Sequence, residues 1–244
     1  MPQYPTSLPA DRPWPDMRRT PIIDREALTA TLKAGIAALP LPLTDAQAER
    51  LIDYVLLLQK WNAVYNLTAI RDPQQMVTHH LLDCLAAMPA FADARRVLDV
   101  GAGGGLPGMV LAIWAQHAQP DMQIAMIDTV HKKTAFLTQA KAELGLQNVT
   151  VHTMRVEQLQ DEAGYDVITS RAFADLSDFV QWSSHLPAPG GRYIAMKGVA
   201  PEEEAARLPA GWQVTATQPL QVPGLEAQRH LVFIERKQPE QAVC

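Results

Sequence analysis

The chain has 244 residues, enough for one large domain or for a core domain with an extension. Hydrophobic residues make up 48% and charged residues 19%, an ordinary globular balance, and no run approaches the roughly 20 continuous apolar residues of a membrane span. A formal charge of −5 with pI near 5.8 argues against holding a nucleic acid by overall charge, so any such contact must rest on a local basic patch.

Residues 1–21 carry Pro2, Pro5, Pro9, Pro13, Pro15 and Pro21, which remove backbone donors and predict a disordered tail. Its Arg18–Arg19 pair reads as solvated charge. The N-terminus lacks a charged-then-apolar export pattern, and Cys84 and Cys244 form neither a disulfide framework nor a ligand pattern, so a cytoplasmic protein is expected. A helical extension over 22–92 follows. Its first helix, over 24–38, shows apolar residues at Ile23, Ala27, Leu28, Leu32, Ile36 and Leu39. Thr44 with Gln47 three residues on forms a capping box for a second helix, marked by Leu51, Ile52, Val55, Leu56 and Leu58 and ending near Trp61. A third starts at Pro73 and runs through Met76, Val77, Leu81, Leu82 and Leu85.

After Arg96 the period changes, and residues 93–237 read as the main domain, with a tail at 238–244. Strands are predicted at Val97–Val100, Ile124–Ile127, Val149–Val151 with Met154, Tyr165–Ile168 and Arg192–Met196. Between them lie helices at Pro107–Gln116, Lys132–Leu144 and Leu176–Leu186. Such alternation implies a parallel sheet covered on both faces. Trp212–Thr217 and Leu231–Glu235 then form a terminal hairpin suited to a sheet edge.

The most informative segment is Val97-Leu98-Asp99-Val100-Gly101-Ala102-Gly103-Gly104-Gly105-Leu106-Pro107-Gly108. A strand enters a glycine turn that opens a helix, so backbone and helical N–H groups can approach a ligand closely. Gly103, Gly105 and Gly108 also satisfy the dinucleotide fingerprint, with Asp128 about 20 residues on for a ribose hydroxyl. A nicotinamide-dependent oxidoreductase therefore stays open on glycine spacing alone. Asp99, two residues before Gly101, adds the acidic-x-Gly-x-Gly pattern of class I methyltransferases, where the carboxylate orders the turn and the cationic end of S-adenosylmethionine (AdoMet). Asp128 can accept two ribose hydroxyls or cap the following helix. Val156 and Glu157 fall where an adenine edge would be read.

The chain resembles the bacterial 16S rRNA guanine-N7 methyltransferases, also called glucose-inhibited division protein B, over roughly residues 45 to 236. The motifs are Trp61-Asn62, Tyr65-Asn66-Leu67-Thr68, His80-Leu81-Leu82-Asp83, the glycine segment, Arg155-Val156-Glu157, Ser170-Arg171-Ala172-Phe173, Lys197-Gly198 and Arg229-His230-Leu231. Cys84 stands where the family usually has serine, and His79 where it has arginine or lysine. The resemblance implies a class I AdoMet-methyltransferase Rossmann-like α/β fold: a mostly parallel seven-stranded sheet with an antiparallel C-terminal hairpin and a helical N-terminal extension. It implies that Gly101, Leu106, Val156, Glu157 and Arg171 contact AdoMet, beside the Asp99, Gly103 and Asp128 read from the glycine segment. The implied partner is 16S rRNA in the small ribosomal subunit, methylated at N7 of guanine 527 in standard bacterial numbering, by a monomer.

Guanine N7 is a lone-pair nucleophile with no proton to remove, so positioning should outweigh base catalysis. Ser170-Arg171-Ala172-Phe173 follows the fourth strand in place of the Asn/Asp-Pro-Pro-aromatic motif of exocyclic amine methyltransferases. No cysteine lies near it for covalent attack on cytosine. Arg171 is the candidate catalytic residue, a surface ion pair being the alternative. Phe173 either stacks a base or belongs to the core. Asn66, His80, Lys197, Arg229 and His230 are the candidate RNA contacts. His79, His80 and Asp83 lack the further ligands a metal site needs. An AdoMet enzyme acting on a small molecule or protein, and a non-enzymatic RNA-binding protein, are the remaining alternatives.

Overall fold

The computed structural model describes residues 24–171, 173 and 175–237. The expected tails at 1–21 and 238–244, with Arg18, Arg19 and Cys244, lie outside the described residues, as do Ile23 and Ala172.

The extension is helical. In α1 (Arg25–Ala37) Asp24 caps the first turn by accepting from the Ala27 N–H. Both bonds of the capping box at Thr44 and Gln47 open α2 (Asp45–Tyr65). This helix passes its expected end at Trp61. Aromatic packing holds the extra turn: Trp61 lies 5.6 Å from Phe136 and 5.3 Å from Tyr65, ring centre to ring centre. It stops at Asn66, whose φ of 50° is left-handed, a conformation asparagine tolerates better than most residues. The third expected helix comprises α3 (Pro73–Met76), a π-helical stretch (Val77–Leu82) and α4 (Asp83–Ala87).

The sheet contains β1 (Arg96–Val100), β2 (Gln123–Asp128), β3 (Val149–Thr153), β4 (Tyr165–Ser170), β5 (Pro187–Lys197), β6 (Trp212–Pro219) and β7 (His230–Arg236). Their spatial order is β3-β2-β1-β4-β5-β7-β6; β1 to β5 pair in parallel and β7 runs antiparallel to both neighbours. β5 begins at Pro187, ahead of the expected Arg192, and α7 (Leu176–Ser183) ends before the expected Leu186. Leu186 is needed elsewhere: its carbonyl accepts from the Tyr165 N–H at 2.9 Å, at the start of the β4–β5 pairing. The short α8 (Glu202–Ala205) was not anticipated, because a single turn has no periodicity to read.

Alternation along β1 divides the core. Val97 joins the cluster beneath the extension, and Leu98 and Val100 join the cluster under α7. α5 (Gly108–Ala118) is apolar almost all round because it is buried against the sheet on one side and α2 and α4 on the other. α6 (His131–Glu143) packs against β2, β3 and α2, burying Phe136 and Leu137. The extension is thus one layer of the core, and its side chains reach the C-terminal ends of the strands.

Candidate active site

At β1 the strand order reverses, with β2 on one side and β4 on the other, which is where open α/β sheets form a ligand crevice. The glycine turn fills this point. Gly101 and Ala102 donate to the Ile127 carbonyl at 2.9 and 3.1 Å, and the Gly103 N–H donates to Asp128 Oδ2 at 3.1 Å. Gly105 has φ of +89°, and a Cβ there would lie 2.6 Å from Met109 Cγ, so glycine is required twice over. The extension fastens the turn from behind: the buried Tyr54 hydroxyl donates to the Gly104 carbonyl.

Asp99 lies under the turn. Its Oδ2 accepts from the Gly108 N–H at 2.9 Å, while its buried Oδ1 has no partner among the described residues. Burial pushes its pKa up to about 7. A Cβ on Gly108 would lie 2.6 Å from Met126 Sδ and 2.8 Å from Asp99 Oδ2, so α5 can approach β2 this closely only at glycine. Gly108→Ala is expected to cost about 1–3 kcal/mol through overpacking. Urea unfolding of the variant checks this, and an unchanged midpoint would refute the close-packing role.

Beside the turn lies a cavity of about 510 Å³ lined by Gly101, Asp128, Val156, Glu157, Phe173 and Trp182 among others. Asp128 Oδ1 accepts from the Val130 N–H at 2.9 Å, and Lys133 lies 3.5 Å from Oδ2. Its carboxylate therefore organises both the glycine turn and the approach to α6, and it faces the cavity as well. Arg155 bonds Glu157 at 2.5 Å and holds its carboxyl below the ordinary range. Phe173 packs on Phe179 and Trp182, with ring centres 5.2 and 5.7 Å apart, so it joins the cavity wall to the α7 core. Asp99, Gly103 and Leu106 shape the turn and stand behind this lining. Leu106 is buried.

A second cavity of about 390 Å³ opens at the ends of β4 and β5, lined by Thr68, His80, Asp83, Arg171, Lys197 and Arg229 among others. Arg171 Nη1 donates to the His79 carbonyl at 3.2 Å, lies 3.3 Å from His80 Nδ1 and pairs with Asp83 Oδ2 at 3.3 Å. Arg229 Nε donates to Asp83 Oδ1 at 2.9 Å. His80 Nε2 lies 2.8 Å from Thr68 Oγ1. Burial, then the Arg171 charge, lowers the His80 pKa to about 4, so the ring is neutral at physiological pH, with Nδ1 3.0 Å from the His79 carbonyl as well as beside Arg171. Thr68 is held in turn by Asn62, whose buried side chain accepts from the Thr68 N–H and donates to the Ile70 carbonyl. The Trp61–Thr68 motif thus builds one wall of the second cavity.

Of the remaining candidates, Lys197 lines this cavity, but its ammonium donates to Glu204 at 2.7 Å and to the Phe173 carbonyl at 3.0 Å. Glu204 also accepts from the Leu176 N–H, so the pair anchors the segment between β4 and α7. Asn66 is an exposed helix cap, and His230 Nδ1 sits 3.3 Å from the Gly198 carbonyl beside the rim. Tyr54, Asp83, Lys133 and Glu204 were not among the expected site residues. Asp83 stood in the His80–Asp83 motif without an assigned role, and Tyr54 left a signal as a phenol on an apolar helix face that needs a partner for its hydroxyl.

The His80 environment sets a pH dependence. Between pH 6.5 and 4 the unfolded chain takes up a proton that folded His80 refuses, so stability present above 6.5 is lost on acidification, by up to about 3 kcal/mol. Asp99 acts oppositely: its raised folded pKa adds stability as pH falls from about 7 toward the ordinary carboxylate range. His80→Asn should therefore gain stability relative to the parent chain as pH falls from 6.5 to 4. Urea unfolding across that range tests it, and parallel curves would exclude a buried neutral His80.

The antiparallel β7 between β5 and β6, the acidic residue before the glycine turn and Asp128 at the end of β2 define a class I AdoMet-dependent methyltransferase fold. A dinucleotide fold of the dehydrogenase type has a different strand arrangement, so the overlapping glycine fingerprint does not carry that alternative. Two solved structures share the fold. The O-methyltransferase TomG from Streptomyces achromogenes, involved in tomaymycin synthesis and solved in complex with SAM, matches with TM-score 0.55 at 17% identity, over 89% of this chain and 100% of that one. The mitomycin 7-O-methyltransferase MmcR matches with TM-score 0.56 at 15% identity, over 87% and 67%. The model of the rRNA small subunit methyltransferase G (GidB) family matches residues 47–232. The ribosomal RNA small subunit methyltransferase G of Janthinobacterium sp. (strain Marseille) is 68% identical over 213 residues, covering 87% of this chain and 97% of that protein. That of Ralstonia nicotianae is 59% identical over 211 residues, covering 83% and 93%. The chain belongs to the rRNA small subunit methyltransferase G family, as its motifs led us to expect.

Proposed function

We propose that the chain transfers the methyl group of AdoMet to N7 of a guanine in 16S rRNA, guanine 527 in standard bacterial numbering, acting as a cytoplasmic monomer on the small ribosomal subunit. The observation that carries this reading is the pair of neighbouring cavities: Phe173 lines the first and Arg171, two residues earlier, the second. A methyl donor in one would face an acceptor base in the other. Among the described residues no helix is long and apolar enough to cross a membrane.

The first cavity fits the cofactor. AdoMet supplies an electrophilic methyl group on a sulfonium. The free lone pairs of Asp128 suit ribose hydroxyls, Val156 and Glu157 suit the adenine edge, and Gly101 lets the backbone approach closely. Asp99, through its bond to Gly108, orders the turn that would meet the cationic end of the ligand, with Gly103 and Leu106 maintaining the turn. Arg171, which the family resemblance assigns to the cofactor, stands at the boundary and serves the transfer itself.

The second cavity fits a purine acceptor that needs no deprotonation. His80 is buried with both ring nitrogens engaged and so offers no free base; it orients Arg171. Cys84 is buried, and burial raises its thiol pKa, which removes it as a nucleophile. Catalysis then rests on alignment of the guanine with the methyl donor. Arg171 and Arg229 provide the cationic donors for RNA, and Lys197 acts in the cavity while paired with Glu204. His230 stands beside the rim, and the exposed cap Asn66 is a further RNA contact outside the cavity lining.

The test is transfer of labelled methyl from AdoMet to small ribosomal subunits lacking the modification, followed by nucleoside mass spectrometry. Label recovered as 7-methylguanosine at one site is the expected result. No label, with AdoMet binding demonstrated, would move a small-molecule or protein acceptor to first place.

A further inference from the structure

Among the described residues, Asp83 is the one acidic side chain that lines the second cavity. It is 2% exposed, and each of its oxygens takes a different arginine: Oδ2 meets Arg171 Nη1 and Oδ1 accepts from Arg229 Nε. The three residues come from three places in the chain. Asp83 begins α4 in the extension, Arg171 follows β4, and Arg229 precedes β7. The π-helical stretch Val77–Leu82 ends immediately before Asp83 and holds His79 and His80, the other contacts of Arg171. Such an irregular turn within a buried helix commonly marks a functional position.

An arginine–aspartate–arginine group is an unfavourable way to stabilise a core. Desolvation offsets most of the attraction, and apolar packing would serve stability equally well. What it supplies is direction. Arg229 uses Nε on Asp83 and Nη1 on the Gln228 carbonyl, leaving Nη2 without an acceptor among the described residues. One carboxylate against two guanidiniums leaves one positive charge, on side chains that line the cavity and whose planar forks match the anionic and carbonyl oxygens of a nucleotide.

Resting on the rRNA guanine reading above, we infer that Asp83 is the positioning residue of the acceptor site. Its carboxylate fixes the guanidinium groups of Arg171 and Arg229 so that their remaining donors meet the target guanine nucleotide of the rRNA. The helical extension then completes the acceptor site as well as packing against the core.

The test uses the full chain and small ribosomal subunits lacking the modification. Wild-type formation of 7-methylguanosine is the control, and its absence would count against the proposed function before Asp83 is considered. Given that control, Asp83→Asn should lower kcat roughly 10- to 100-fold, the scale of a misaligned reacting group. Affinity for the subunit should not fall, since both cations remain. In an Arg229→Gln background the same change should cost less than it does alone, because the part acting through Arg229 is already lost and only the part acting through Arg171 remains. Wild-type kcat in Asp83→Asn, or losses that multiply in the double variant, would overturn the assignment. Should Asp83→Asn fail to fold, Arg229→Lys decides: it keeps the charge and loses the fork, so kcat should fall while subunit affinity holds. Wild-type turnover in Arg229→Lys would refute the positioning role.

Discussion

Arg171→Gln is expected to lower kcat/KM for rRNA methylation roughly a hundredfold, the scale of losing alignment at a reacting centre. The guanidinium touches the His79 carbonyl, His80 and Asp83, and it lines the cavity at the ends of β4 and β5. Glutamine keeps much of the length but loses the charge and the fork. Asp83 retains Arg229 as a partner, so the variant should still fold, and a thermal melt alongside the kinetics verifies it. Titration with AdoMet divides the loss between cofactor binding and transfer. An unchanged kcat/KM would remove Arg171 from the mechanism and return it to the status of a partly buried ion pair.

The second large effect concerns Asp128. Its side chain accepts from the Gly103 and Val130 N–H groups and faces the larger cavity. Asp128→Ala would therefore loosen the glycine turn and remove the acceptor for ribose hydroxyls. Affinity for AdoMet should fall by about 1–3 kcal/mol, the cost of leaving polar partners unpaired. Asp128→Asn, which retains one carbonyl oxygen, should lose less. Calorimetry with AdoMet measures both, and wild-type affinity in the alanine variant would contradict the role. The effect is distinct from that of Gly108→Ala, which acts on the packing of α5 against β2.

Much of this architecture is local and therefore readable. The run from Val97 to Gly108 announces strand, glycine turn and helix because each state depends on a few neighbouring residues, and all three occur in order. The capping box at Thr44 and Gln47 is likewise a contact over three residues. Where the expected boundaries shifted, a distant partner was responsible. Trp61 and Tyr65 extend α2 because Phe136 lies opposite, and Leu186 leaves α7 because Tyr165 needs its carbonyl.

The second cavity shows the same division. His80, Arg171 and Arg229 could be named from their motifs, yet nothing near them in sequence shows that one carboxylate joins two of them, across separations of 88 and 146 residues. Lys197 carried a positive charge on paper, and only folding revealed that Glu204 takes it up. Even the π-helical stretch before Asp83 has the composition of an ordinary helix.

By itself, then, the sequence determined the strand–helix alternation, the glycine turn and the family motifs, because backbone preferences and close-range bonds act between near neighbours. The tertiary structure decided which charges are paired, which carboxylate has an unused oxygen and which side chains share a cavity. Those outcomes depend on desolvation and on the distance between groups, and both are created only when remote segments pack together.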